Sequence, residues 1–125
     1  MTAQRRDDHS TEFGLWLRIQ PKIASQIGYL ATNIDYVWCS YKHPGWILLE
    51  EKRHCAGVPN WQSGIFQMLD AAARNDPNYR GFYVIRFENT SPEDGKVWLC
   101  HGDDAKIVTK DELTAFLRDV VKAEV

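Results

Sequence analysis

Asp35, Glu50 and Lys52 bring two carboxylates and one amine into a short stretch of chain. Glu50 and Lys52 are two residues apart, and Asp35 lies fifteen residues before Glu50. Two carboxylates facing one another are unfavourable without a cation between them. A hard divalent ion such as Mg²⁺ or Mn²⁺ prefers oxygen ligands and accepts one or two protein carboxylates beside water and phosphate. Such an ion polarises a phosphodiester and acidifies a bound water. A neighbouring lysine would orient that water or stabilise charge on the phosphate in the transition state. The expected chemistry is metal-dependent phosphodiester hydrolysis, with Asp35 and Glu50 on the metal and Lys52 assisting.

That chemistry needs elements that bring the three groups together. Residues 34–41, Ile-Asp-Tyr-Val-Trp-Cys-Ser-Tyr, are β-branched and aromatic and read as a strand. Lys42-His43-Pro44-Gly45 is a turn signal, and residues 46–53 read as a second strand. Side chains alternate along a strand, so Glu50 and Lys52 share one face while Glu51 and Arg53 take the other. A two-residue turn centred on His43 and Pro44 sets Asp35 opposite Lys52, and Val37 opposite Glu50. A turn one residue longer or shorter would instead put Asp35 beside Glu51 and Arg53. The run Trp46-Ile47-Leu48-Leu49 is apolar on both faces, as in an interior strand. Ionisable residues ending such a strand are expensive unless used. The competing reading is a set of exposed cross-strand ion pairs, worth about 0.2–1 kcal/mol each.

The remaining elements follow from periodicity and punctuation. Ser10 or Thr11 can cap a helix reaching about Gln20, with Phe13, Trp16, Leu17 and Ile19 on its apolar face, and Pro21 stops or bends it. Tyr29-Leu30-Ala31 suits a short strand. Pro59-Asn60 opens a helix over about 60–75, with Trp61, Ile65, Met68, Leu69 and Ala72 along one stripe. Gly81 to Glu88 and Lys96 to His101 read as strands, and Ile107-Val108 suits a short fifth one. Thr109 and Glu112 match a capping box, followed by Leu113, Phe116, Leu117, Val120 and Val121 at helical spacing. The order is α–(β)–β–β–α–β–β–(β)–α, an α/β arrangement with a mixed sheet flanked by helices, in one domain spanning 1–125 whose residues 1–9 form a polar tail.

Ile34-Asp35 followed by Glu50-Glu51-Lys52, within this order of elements, resembles the PD-(D/E)xK nuclease superfamily. The likeness covers residues 10–101 and is greatest toward small phage and prokaryotic members related to Holliday-junction resolvases and RecB-type nuclease domains. The family's proline is Ile34 here. The resemblance implies a restriction-endonuclease-like fold with an αβββαβ core, Asp35 and Glu50 as metal ligands, and Lys52 as the catalytic lysine. It further implies a metal role for Glu12 on the first helix and a site glutamine at Gln62, with Gln67 as the other candidate. The implied activity is that of a Mg²⁺- or Mn²⁺-dependent DNA endonuclease acting on branched or structured DNA. A homodimer would let two sites cut two strands. The alternative on the same scaffold is a non-catalytic nucleic-acid-binding or assembly protein, with RNA as a further possible substrate.

Composition constrains the partner. Net charge is −2, so the whole chain is not a basic nucleic-acid binder. Residues 1–60 carry seven Lys/Arg against six Asp/Glu, and residues 61–125 carry eight against eleven. Lys42, Arg53 and His54 fall in the one basic cluster and are the candidate DNA contacts. A weak overall field implies modest, salt-sensitive affinity for polyanions. Three widely spaced cysteines do not make a disulfide framework and fit a reducing cytoplasm. No apolar run approaches the roughly 20 residues of a membrane span, and no signal peptide is visible. The five tryptophans read mainly as core. Cys39, His43, His54, Cys55, Cys100 and His101 lack the paired spacing of structural zinc.

Overall fold

The computed structural model describes residues 12–23, 25–28 and 34–122. The chain divides into two units, Met1–Asn33 and Ile34–Val125. In the first unit, α1 spans Glu12–Ile19, and short 3₁₀ turns follow at Pro21–Ile23 and Ser25–Ile27. Pro21 thus ends the α-helix and opens a tighter turn, where its missing N–H does no harm. Phe13 and Trp16 stack at 5.9 Å, yet both are exposed, as is Ile19. The expected caps Ser10 and Thr11, the polar tail and the expected strand at Tyr29–Ala31 lie outside the described residues.

The second unit is built on a five-stranded mixed sheet in the order β1-β2-β3-β4-β5. The strands are β1 Tyr36–Cys39, β2 Trp46–Lys52, β3 Tyr79–Phe87, β4 Val97–His101 and β5 Asp104–Val108. Helix α2, Asn60–Ala73, carries the chain from β2 to β3, which run parallel; all other neighbours are antiparallel. A parallel pair needs such a crossover, and α2 supplies it. Helix α3, Lys110–Asp119, closes the unit. Its capping box forms as the sequence implies: Glu112 N–H donates to Thr109 Oγ1 at 3.0 Å, and Thr109 N–H to Glu112 Oε1 at 2.8 Å. No helix among the described residues is long and apolar enough to cross a membrane.

Each face of the sheet has its own core. Leu48, Phe66, Tyr79 and Phe82 pack under α2, while Ile47, Leu49, Ile85, Phe87, Val97, Val108 and Leu113 pack under α3. Residues 47–50 of β2 are all buried, as an interior strand requires. Two local features set the faces. Tyr79 and Phe82 both join the α2 core although they are three residues apart, which a regular strand does not permit. The register shifts between Trp46 and Leu48, opposite Gly81, whose φ of 124° only glycine takes comfortably. Beyond this bulge Glu50 pairs with Val84 and Lys52 with Arg86.

The phase of α2 differs from the stripe expected from its large apolar residues. The inward positions are Gln62, Phe66, Leu69 and Ala73, while Met68 is 64% exposed. The inward face is therefore turned by one residue, about 100° of helix rotation. That turn carries Gln62 onto the sheet.

Candidate active site

Asp35 and Glu50 meet through the hairpin, in a register different from the tight turn the sequence suggested. Tyr36 pairs with Leu49 and Cys39 with Trp46, so six residues, 40–45, connect the strands. Continuing the ladder by one step sets Asp35 opposite Glu50, rather than opposite Lys52. The shift is two residues, an even number, so the face is kept: Asp35, Glu50 and Lys52 remain on the α2 side. The longer loop has a long-range cause. Gly45 N–H donates to Val121 O at 2.9 Å, and a Cβ at Gly45 would lie 2.7 Å from the same oxygen. The end of the loop is pinned against the chain following α3, where only glycine fits.

Backbone and side chains lock the acids. Asp35 N–H donates to Glu50 Oε1 at 3.2 Å, and Glu51 N–H donates to Asp35 Oδ2 at 2.9 Å. Glu50 is fully buried. Its Oε2 lies 3.3 Å from Lys52 Nζ, and that amine donates to Gln62 Oε1 at 2.6 Å. Lys52 is 11% exposed, and Gln62 is buried. A buried carboxylate carries a penalty of several kcal/mol unless paired. Here the amine and a backbone amide both serve it, which holds the charge in the interior. Lys52 in turn is aimed by an amide oxygen from α2. The structure thus joins four of the sequence-derived residues: Asp35, Glu50, Lys52 and Gln62.

The other candidates are placed as follows. Glu12 is exposed in the first turn of α1, within the N-terminal unit. Arg53 is exposed and pairs with Glu51 Oε2 at 3.0 Å, on the strand's other face. His54 and Cys55 both adopt left-handed backbone, at φ 56° and 60°. Each such residue costs about 1–2 kcal/mol. Their amides donate to Asn89 O and Phe87 O at 2.8 Å, which ties the chain leaving β2 to the end of β3. Lys42 sits in the 40–45 loop, at the end of the hairpin away from Asp35. There it lines a groove of about 600 Å³ with His43, Arg118, Lys122, Trp38 and Tyr41. Gln67, the other glutamine candidate, is exposed on α2, one position off the inward stripe.

Arg86 was missed in the sequence. Parallel pairing sets it beside Lys52, and its guanidinium lies 5.6 Å over the Trp98 ring. The available signal was an arginine inside the apolar run Phe82–Phe87, but its neighbour depends on a crossover register that no local pattern reveals. Cys39 and Cys55 are exposed free thiols. Among the described residues no three His, Cys, Asp or Glu side chains gather as a ligand set. Two carboxylates still suit a hard divalent ion, which fills its other positions with water and phosphate.

No family model matches the chain, nor does any curated protein or solved structure.

Proposed function

We propose that this chain is a metal-dependent DNA nuclease, an endonuclease for branched or structured DNA on a restriction-endonuclease-like scaffold, with Asp35, Glu50 and Lys52 at its centre. One observation carries the reading. A fully buried glutamate, an aspartate joined to it through its own amide and a lysine aimed by a buried glutamine converge at the end of an interior strand. Groups of this kind are costly to desolvate and are retained where chemistry uses them. Asp35 and Glu50 would hold Mg²⁺ or Mn²⁺, which when bound supplies Lewis acidity and a more acidic water. Lys52, fixed by Gln62, donates to a phosphate oxygen or holds the attacking water as negative charge grows. Glu50 and Asp35 accept through fixed oxygens, so little reorganisation remains for the reaction itself.

DNA is the favoured partner because cations lie at both ends of the hairpin: Lys52 and Arg86 at one, and Lys42, Arg118 and Lys122 at the other. With a net charge of −2 the chain makes few phosphate contacts, so targeting rests on DNA shape more than on long-range attraction. Cutting both strands of a branched substrate calls for two copies of the chain.

A second reading has its own support. Lys52 already pairs with Glu50 at 3.3 Å, as a purely structural buried ion pair also would. That favours a non-catalytic nucleic-acid-binding protein on the same scaffold. Linear, single-stranded and branched DNAs incubated with Mg²⁺, Mn²⁺ or EDTA separate the two. Product in either metal and none in EDTA is expected. Binding in EDTA with no product under any condition supports the second reading.

A further inference from the structure

Beside the candidate site, on the α2 side of the sheet, a cleft of about 480 Å³ opens between α2 and strands β3 to β5. Its volume falls within the roughly 300–1,000 Å³ typical of small-ligand sites. Phe66, Phe82, Val84 and Cys100 line it. Phe66 and Phe82, both largely buried and 4.6 Å apart centroid to centroid, close its apolar base. Val84 pairs with Glu50 across the sheet, so the cleft lies one strand from the buried carboxylate, about 4.8 Å in a sheet.

Charge is divided across this cleft. Arg86 stands on the side nearest Lys52, its guanidinium over Trp98. Asp103 and Asp104 stand at the β4–β5 turn, while Asp70 on α2 already accepts from Tyr79 Oη at 2.6 Å and pairs with Arg74. An anion would be held at the Arg86 side and repelled from the acids. An uncharged ring bearing N–H donors would be accepted by the apolar floor and hydrogen-bonded by the carboxylates. A nucleotide has both parts. We propose that the cleft takes an unpaired nucleobase of the strand being cut, while Arg86 carries the adjoining phosphate beside Lys52. The inference rests on the nuclease reading and names its substrate: DNA with an unpaired nucleotide next to the scissile phosphate. A paired base is held in the duplex stack and cannot enter the cleft. Trp98 is a positioning residue, holding the guanidinium at the cleft's edge by a cation–π contact.

Cys100 lies in the cleft, so its alkylation reports occupancy without requiring catalysis. The full chain in EDTA is treated with iodoacetamide alone, with saturating single-stranded DNA, or with blunt duplex. Saturation is set by fluorescence anisotropy, and labelling is read at Cys100 by peptide mass spectrometry. Several-fold protection of Cys100 relative to the chain without DNA is expected from single-stranded DNA, and none from duplex. Equal labelling of Cys100 with and without bound single-stranded DNA, or equal protection by duplex, overturns the proposal. In Ala105→Trp, an exposed rim position of the cleft, single-strand affinity should fall roughly 5- to 150-fold, the range set by one stacked base. Duplex affinity should not change. If Ala105→Trp fails to fold, the wild-type labelling decides alone. Cys100 protected in a chain that never cuts DNA removes the nuclease reading and leaves the cleft as a base pocket. Cutting without protection removes the cleft and leaves the nuclease.

Discussion

Replacing Lys52 by methionine removes the amine from the centre of the site and keeps most of its bulk. Glu50 is fully buried and 3.3 Å from that amine, and the buried Gln62 accepts from it at 2.6 Å. Breaking a buried ion pair from one side costs about 3–5 kcal/mol, because the remaining charge stays desolvated. The low end applies here. Asp35 N–H still donates to Glu50 Oε1 at 3.2 Å, and Lys52 itself is 11% exposed. The expected loss is therefore about 3 kcal/mol. Urea unfolding in EDTA, followed by tryptophan fluorescence, measures it as a lower midpoint at unchanged slope. Adding Glu50→Gln to Lys52→Met should recover part of the loss, with a coupling of at least about 1.5 kcal/mol in the double-mutant cycle. A single-variant loss below about 0.5 kcal/mol, the scale of exposed pairs, would refute the claim of a buried coupled pair. So would strict additivity in the cycle.

Three further outcomes follow from the fold. Gly45→Ala sets a methyl 2.7 Å from Val121 O and should destabilise by about 1–3 kcal/mol in the same urea assay, loosening the loop that sets the hairpin register. Thr109→Ala removes the capping-box acceptor of α3 and should cost about 1 kcal/mol, with Thr109→Ser retaining most of it. Burial, then the 2.6 Å hydrogen bond to Asp70, holds the Tyr79 phenol well above its ordinary range. The folded state therefore keeps this proton when the unfolded chain loses it, so stability is full below about pH 10 and falls as pH rises further. The urea midpoint should drop above that pH, and less steeply in Tyr79→Phe.

The hairpin, the buried strand, the capping box and the apolar face of α3 were legible because each is written in local pattern. Face assignment survived an error in turn length because it depends only on parity. Residues 40–45 form a longer loop than the expected turn centred on His43 and Pro44, yet a two-residue shift leaves Asp35 and Glu50 on one side. The exact loop length was hidden because it is set by Gly45 against Val121, a contact between distant parts of the chain. The phase of α2 was misread because large apolar residues were taken to mark the inward face. Met68 faces outward while the polar Gln62 faces inward to meet Lys52. A local polar exception at a candidate site is where pattern reasoning is expected to fail. The Gly81 bulge was likewise invisible, since Gly81 reads simply as the start of a strand.

The most direct test of the site is single-turnover cleavage of whichever DNA in the panel is cut fastest, in Mg²⁺, by wild type, Glu50→Ala and Lys52→Ala at matched, verified folding. A drop of at least about 100-fold in both variants is expected, the scale of removing one group that stabilises transition-state charge. Cleavage within a few-fold of wild type in both would contradict the account.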